Sequence, residues 1–386
     1  MVDPIETAEA LARELAETAV ARDRAGGTPK RQRDRIRESG LLGLIVPARL
    51  GGGGASWDLA LRSVRAIARA DGSVAHLFGF QHLLLATVRL FGNNAQFASL
   101  ASQTVERRWF WGNALNPLDT RTTLVASGAD RVLRGQKSFC SGARDADMLI
   151  ASATDGVTGK LVVAAIPGNR AGVVARDDWD NMGQRQTDSG TVLFEDVVVR
   201  RDEILSDPGP LGSTLATLRP LIAQLTLANL YLGIAEGAFA AGRQVTLERG
   251  RAWFASGVER RSEDPYVQAT FGDLYAELEA CRQVTCAAAR RLDDAWSRGD
   301  DLTVDERGHV AIAVAAAKIV TTRGVLDVTN RIFESAGASS TTARLGLDRF
   351  WRNARTQTLH DPVEYKRRDV GRWLLTDEWP TPSFYS

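Results

Sequence analysis

Apolar residues recur at helical spacing over 5–22 and 57–70, and Ala-, Leu- and Arg-rich text of this kind fills the chain from Pro4 to about Arg107. That periodicity predicts a helical first domain. Between about Arg108 and Leu205 the pattern changes to short Val-, Thr-, Phe- and Ile-rich runs separated by turn signals, which predicts strands over 122–126, 133–140, 148–153, 160–166 and 191–199. Asp155-Gly156 between two of these runs marks a hairpin. After Pro208-Gly209-Pro210 the helical period returns and holds to about Leu375, strongest over 221–247, 268–298 and 304–335. The expected fold class is therefore α+β, mostly α: a helical domain over 1–107, an antiparallel β domain over 108–207 and a helical bundle over 208–386. Helices, then strands, then helices excludes the doubly wound and barrel folds in which strands and helices alternate.

Composition removes several function classes. The 48 basic and 47 acidic residues nearly cancel and the basic ones are scattered, so no nucleic-acid partner is expected. The longest apolar stretches, such as 310–320, which Lys318 interrupts, fall far short of the ~20 residues that span a bilayer, so no membrane partner is expected. Residues 1–10 carry acids and no apolar h-region, which argues against a secretory signal there. Cys140, Cys281 and Cys286 have no metal-ligand spacing, so no metal and no disulfide framework are expected, and a reducing cytoplasmic location fits. Gly51-Gly52-Gly53-Gly54 lacks the Gly-Lys-Ser/Thr ending of a phosphate loop and reads as a turn between helices.

The strongest chemical signal lies in 347–362. On a helix, Arg349, Arg352 or Asn353, Thr356 and His360 share a face, because eleven steps of ~100° bring His360 to within ~20° of Arg349. A polar stripe in an apolar bundle needs partners, and a ligand could supply them. Pro362 stops this helix near His360, and Asp361-Pro362-Val363-Glu364 reads as the N-cap, first position and N3 residue of the next helix. A second candidate site is Lys137-Ser138-Phe139-Cys140-Ser141-Gly142-Ala143, where a strand runs into small residues that let a flat ligand approach, with Ser141 as a hydrogen-bond donor. Ser141 has no Gly-x-Ser-x-Gly elbow, which disfavours a Ser-His-Asp hydrolase. Trp109 to Asn113 and Trp179 add aromatic and amide groups. His82 reads in isolation as a core or cap histidine, and His76 and His309 have no supporting context.

Val46-Pro47 with the glycine run, the strand with Lys137 to Gly142, and Gly183-Gln184-Arg185-Gln186-Thr187-Asp188-Ser189-Gly190 leading into Phe194-Glu195-Asp196-Val197 resemble the acyl-CoA dehydrogenase superfamily in order and spacing. The resemblance covers nearly the whole chain. It implies a helical N-terminal domain, a central β-barrel and a C-terminal four-helix bundle, assembled as a homotetramer with flavin at domain and subunit interfaces. A dehydrogenase would carry a catalytic glutamate in a Tyr-Glu-Gly-Thr-like segment, where this chain has His360-Asp361-Pro362-Val363. Phe139-Cys140-Ser141-Gly142-Ala143, Arg185 to Gly190, and Asp348-Arg349-Phe350-Trp351-Arg352-Asn353 through Leu359-His360-Asp361-Pro362 resemble the dibenzothiophene monooxygenase branch more closely.

That resemblance implies reduced FMN rather than FAD, supplied by a separate NAD(P)H:flavin reductase, and O2 as co-substrate. A C4a-hydroperoxyflavin would oxygenate a small aromatic or heteroaromatic molecule by sulfoxidation or by C- or N-hydroxylation. His360 would be catalytic, with Ser141 and His82 as partners. Asn113, Phe139, Ser141 and Trp179 would contact the flavin, Arg251 its phosphate, and Ser339 would complete the cofactor-binding set. The chain departs from the branch in the loop after Gly337, where Ser339-Ser340-Thr341 replaces a second phosphate-binding arginine. Two alternatives stay open: an FAD-dependent acyl-CoA dehydrogenase with a relocated base, and a catalytically silent scaffold of the same fold.

Overall fold

The computed structural model describes residues 3–127, 130–249 and 251–386. Among these, ten α-helices surround a seven-stranded curled sheet. The first five helices are α1 (Pro4–Ala25), α2 (Lys30–Glu38), α3 (Trp57–Ala68), α4 (Gly72–Phe91) and α5 (Asn94–Arg107). Except for α2, which starts after Pro29 without a side-chain cap, their starts follow from capping side chains that satisfy otherwise unpaired backbone N–H groups. Asp3 accepts from the Ile5 N–H, Ser56 from Leu59, Asp71 from Val74, and Asn93 and Gln96 form a reciprocal box. The glycine run before α3 is a packed turn: Gly51 is left-handed (φ 84°), and a Cβ on Gly52 would strike the Val46 carbonyl.

The strands are β1 (Trp111–Ala114), β2 (Thr122–Ser127), β3 (Asp130–Lys137), β4 (Met148–Asp155), β5 (Leu161–Pro167), β6 (Val173–Ala175) and β7 (Val192–Val199). They run in the order β1-β4-β2-β3-β7-β6, with β5 on the other edge of β4. The pairing is antiparallel from β2 through β3 and β7 to β6, and between β4 and β5, whereas β4 meets both β1 and β2 in parallel. Two strands are absent from the sequence expectation for physical reasons. β1 is buried at all four positions and so has no alternation, and β6 is only three residues long. The β4–β5 hairpin forms at Asp155-Gly156 through a longer loop than the dipeptide implies. The Asp155 carboxylate accepts from the Val157 and Thr158 N–H groups, and its own N–H reaches the Lys160 carbonyl at 2.8 Å.

The last five helices are α6 (Leu218–Arg249), α7 (Pro265–Arg298), α8 (Val304–Ala336), α9 (Asp348–Thr358) and α10 (Val363–Thr376). α6 packs against α3, α4, α7, α8 and α9 and so ties both helical regions into one core. The sheet has its own apolar cluster, centred on Leu133, Leu149, Ile166, Phe194 and Val197.

One sequence expectation needs correction. By length and mean hydropathy, Gly72–Phe91, Leu215–Glu248 and Val304–Ala336 are each apolar enough to cross a membrane, although no uninterrupted run is. Within the fold, 94%, 94% and 61% of their most apolar windows are buried, because helices that are apolar all round form the centre of a large core.

Candidate active site

A cavity of ≈ 990 Å³ opens where the end of β3, the 183–190 loop, α4, α6 and the α9–α10 corner converge. β3 stops at Lys137, whose buried ammonium donates to the Asn116 and Asp119 carbonyls and pins the strand end. Phe139 (φ 60°) and Gly142 (φ 71°) then turn the chain through left-handed conformations. This turn buries Cys140 and leaves the Phe139 ring 62% exposed on the cavity wall, edge-on to Trp179 at 6.1 Å between centroids. Arg33 holds the turn from beneath, donating to the Gly142 carbonyl at 3.1 Å and the Asp145 carbonyl at 2.7 Å. Burial lowers its pKa to about 10, against the pull of Asp145.

A line of polar groups crosses the cavity wall. The Gln184 carbonyl accepts from Trp179 Nε1 at 2.8 Å and from Thr187 Oγ1 at 2.9 Å. Ser189 Oγ donates to Thr187 Oγ1 at 2.7 Å, Ser141 and Ser189 hydroxyls lie 2.8 Å apart, and His76 Nε2 lies 2.9 Å from Ser141 Oγ. A carbonyl only accepts, so each hydroxyl proton is committed in turn: Thr187 to Gln184, Ser189 to Thr187, Ser141 to Ser189. His76 must then donate from Nε2, which leaves Nδ1 unprotonated, buried and without a partner. Burial, reinforced by the charge of His360, lowers the His76 pKa to about 3, so this imidazole is neutral at physiological pH. Ser141 faces the cavity as an acceptor and can donate to a bound group only by releasing Ser189.

The 183–190 loop is fixed to α9. The Gln184 N–H donates to Asn353 Oδ1 at 2.6 Å, and a Cβ on Gly183 would collide with the Arg352 carbonyl. Only glycine permits that approach.

His360 sits at the corner, as its position before Asp361-Pro362 predicts, but Asp361 is not a helix cap. The residue before α10 is Pro362, with no side-chain cap bond. Asp361 is buried and turns inward: its Oδ1 is 3.2 Å from Lys318 Nζ and 3.1 Å from His360 Nδ1. Burial alone would raise the Asp361 pKa, yet the hydrogen bond to His360 and the charges of Lys318 and Lys366 outweigh it and hold the carboxyl well below the usual range. A carboxylate there requires Nδ1–H, so Nε2 of His360 is free toward the cavity. Burial drops the Lys318 pKa to about 8, despite Asp361. The local Asp-Pro-x-Glu signature misled because the decisive partner lies 43 residues upstream.

The structure brings together His360, Ser141, Asn113, Phe139 and Trp179 on the cavity wall. His82 is not there. It lies six residues, or ~120° around the helix, from His76. Its two ring nitrogens are buried without partners and its edge meets Phe78 at 4.7 Å. His76 takes the place expected of His82. His76, Phe80 and Leu83 form one i, i+4, i+7 stripe, but α4 is buried all round and its pattern does not reveal which stripe faces the cavity.

The polar stripe of α9 also divides. Thr356 and His360 line the cavity, whereas Arg352 pairs with Asp23 and Asp348, and Arg349 donates to the Gly346 carbonyl. Arg251 and Ser339 are exposed and outside the cavity of their own chain. They flank Arg261, which donates to the Arg251 and Ser335 carbonyls.

Comparison with known proteins places this geometry. Residues 5–106, 112–197 and 225–365 match the models described as acyl-CoA dehydrogenase N-terminal, middle and C-terminal domains. A probable FMNH2-dependent monooxygenase, SfnC of Pseudomonas putida, is 53% identical over 99% of this chain and 98% of its own. The methanesulfinate monooxygenase MsuC of Pseudomonas fluorescens superposes with a TM-score of 0.99 at 53% identity, covering all of both chains. TdsC of Paenibacillus sp. A11-2, a dibenzothiophene monooxygenase, was solved with FMN and indole. It gives a TM-score of 0.95 at 43% identity over 99% of this chain and 100% of its own. Sequence, domain order and fold agree: the chain belongs to the acyl-CoA dehydrogenase superfamily, in the branch that includes the FMNH2-dependent and dibenzothiophene monooxygenases.

Proposed function

We propose that this protein is a flavin-dependent monooxygenase that uses reduced FMN and O2 to oxygenate a small organosulfur or heteroaromatic molecule in the ≈ 990 Å³ cavity. The observation that carries this reading is the pair of histidines at the cavity, neutral His76 on Ser141 and His360 on Asp361, where a dehydrogenase needs a carboxylate base. Among the described lining residues the carboxylates are Asp119 and Asp180. The first is bound by Arg121, which lowers its pKa to about 2, and the second is exposed.

The residues present fit a flavin. Phe139 and Trp179 offer flat apolar walls for a ring system, and Asn113 supplies an amide. His76 Nδ1, Gln224 Oε1 and Thr356 Oγ1 are buried polar atoms without partners on residues lining the cavity, which is the condition expected of a site built for a polar ligand. Reduced FMN, when bound, supplies the electron pair that activates O2.

The chain's own share is to bind, exclude water and move a proton. Phe80, Leu83 and Leu115 line the cavity with apolar surface. One oxygen atom enters the substrate and the other leaves as water, so the site must deliver a proton. His360 does this when both its ring nitrogens carry a proton, donating from Nε2–H while Nδ1–H stays held by the Asp361 carboxylate. The reduced flavin comes from a separate NAD(P)H:flavin reductase.

The protein acts as a homotetramer in the cytoplasm, and Arg251 serves the FMN phosphate of a neighbouring copy. Its exposure beside Trp253 and Phe254, 67% and 87% exposed, supports this arrangement.

The test is a reductase-coupled assay with FMN, air and a panel of sulfinates, thioethers and indoles, with products identified by mass. Incorporation of one atom of labelled oxygen is expected. Hydrogen peroxide as the sole product across the panel would overturn the reading.

A further inference from the structure

α6 carries an uncompensated cation to the cavity. Arg219 is buried and lines it, and its Nε–H donates to Thr87 Oγ1 at 3.3 Å. Among the described residues no carboxylate pairs with this guanidinium. Burial lowers its pKa to about 10, with Tyr385 alone acting in the opposite sense, so it remains charged at neutral pH. Buried Arg33 has a carboxylate, Asp145, at 3.2 Å, and buried Arg307, which has none, instead donates to Thr217 Oγ1 and to the Pro380 and Ser386 carbonyls. A buried charge without a counter-charge is costly unless a ligand completes it.

Two further observations point to such a ligand. Gln224, five residues along α6 on the same cavity, has Oε1 buried without a partner, and a half-turn of its amide presents the Nε2–H donors that an anion requires. Opposite, Tyr385 returns from the segment after α10 to lie 6.3 Å from the His360 ring and joins Phe384 on the cavity wall. Arg219, Gln224 and Tyr385 thus bring polar groups to the cavity that His360 also lines, Tyr385 beside His360 itself.

We propose that Arg219 binds the two oxygens of an anionic group of the substrate, so that the site selects a small organic anion of the sulfinate class over a neutral heteroaromatic. The proposal rests on the monooxygenase reading for the chemistry, while the binding subsite stands on its own geometry. A guanidinium presents paired N–H donors that match two oxygens on one atom. The sulfur of a sulfinate keeps a lone pair while both its oxygens are held. In the overall reaction R–SO2⁻, O2, two electrons from reduced FMN and two protons give R–SO3⁻ and water. One S–O bond forms, the O–O bond breaks, and sulfur is oxidised by two electrons.

The test compares wild type with Arg219→Gln and Arg219→Lys, using methanesulfinate and indole as the anionic and neutral probes, in the reductase-coupled assay and by calorimetric titration. Arg219→Gln should lower kcat/KM for methanesulfinate about 30-fold or more beyond any loss with indole, through KM, because a buried charged group loses its partner. Arg219→Lys should recover part of the loss. Equal losses with both probes, a loss confined to kcat, or a wild type that oxygenates indole and does not bind methanesulfinate would each overturn the subsite. If wild type oxygenates neither probe, the monooxygenase reading fails. Calorimetry then decides the subsite separately: methanesulfinate binding that Arg219→Gln abolishes supports it, and absence of binding refutes it.

Discussion

Replacing Lys318 by Met tests the inward turn of Asp361 on which the His360 corner depends. Lys318 falls from its usual 10.5 to about 8, so keeping the ammonium charged inside the fold costs about 3 kcal/mol. That cost already includes the attraction of Asp361, whose Oδ1 lies 3.2 Å away and is itself held ionised, and without it the cost would be larger. In Lys318→Met the carboxylate stays buried without its ammonium partner, left with the His360 imidazole and the charge of Lys366, and removing one partner of a buried pair costs about 3–5 kcal/mol. The double variant Lys318→Met/Asp361→Asn removes both charges and should lie within about 1–2 kcal/mol of wild type, a coupling of at least about 2 kcal/mol. In wild type the depressed Asp361 pKa adds stability that is fully present above the unfolded value of about 3.9 and is lost as pH falls through the folded value. In Lys318→Met one of the charges that lowers that pKa is gone and it rises relative to wild type, so the deficit should shrink as pH falls from 7 toward about 4. Urea titrations followed by tryptophan fluorescence at fixed protein concentration measure all three chains. A single-variant loss below about 1 kcal/mol, or losses that add, would refute the buried pair.

His82→Leu should leave turnover within twofold of wild type, and a tenfold drop in the oxygenation rate would return His82 to the site. The same change should flatten acid unfolding. Burial lowers the His82 pKa to about 3 against about 6.5 unfolded, so the unfolded chain binds the extra proton and stability falls as pH drops through that window, by up to about 5 kcal/mol. His360→Ala should lower turnover about 10²- to 10⁴-fold without unfolding the protein, since its side chain is 38% exposed; wild-type rates in that variant would remove the assigned proton donor. Trp179→Ala should weaken FMN binding at least about tenfold by flavin-fluorescence titration, and unchanged affinity would detach the Phe139–Trp179 wall from the cofactor.

What the sequence disclosed was local. The periods of α3, α6 and α8, the Asp155-Gly156 hairpin and the stop before Pro362 all depend on neighbours within a few residues. What it concealed depended on distant partners. Asp361 carries a cap signature, yet Lys318 claims its carboxylate; Arg352 belongs to a stripe that seemed to need a ligand, yet Asp23 on α1 satisfies it. His76 and His82 stand on one helix with no polarity in its pattern to rank them. Arg219 attracted no notice because an arginine at the start of an apolar helix reads as a solvated end. Only packing reveals that it faces a cavity without a counter-charge.

The polarity of the hydroxyl line is decided by a group that does not border the cavity. Gln184 offers a carbonyl, and each relay inherits its proton direction from that end. The character that Ser141 presents to a ligand is therefore a matter of parity. Removing the relay at Ser189, a neighbour on the same wall, would free the Ser141 proton and turn an acceptor into a donor while Ser141 itself stays unchanged. Selectivity for what is bound can thus be inverted by the direction of one hydrogen bond, without moving the atom that makes the contact.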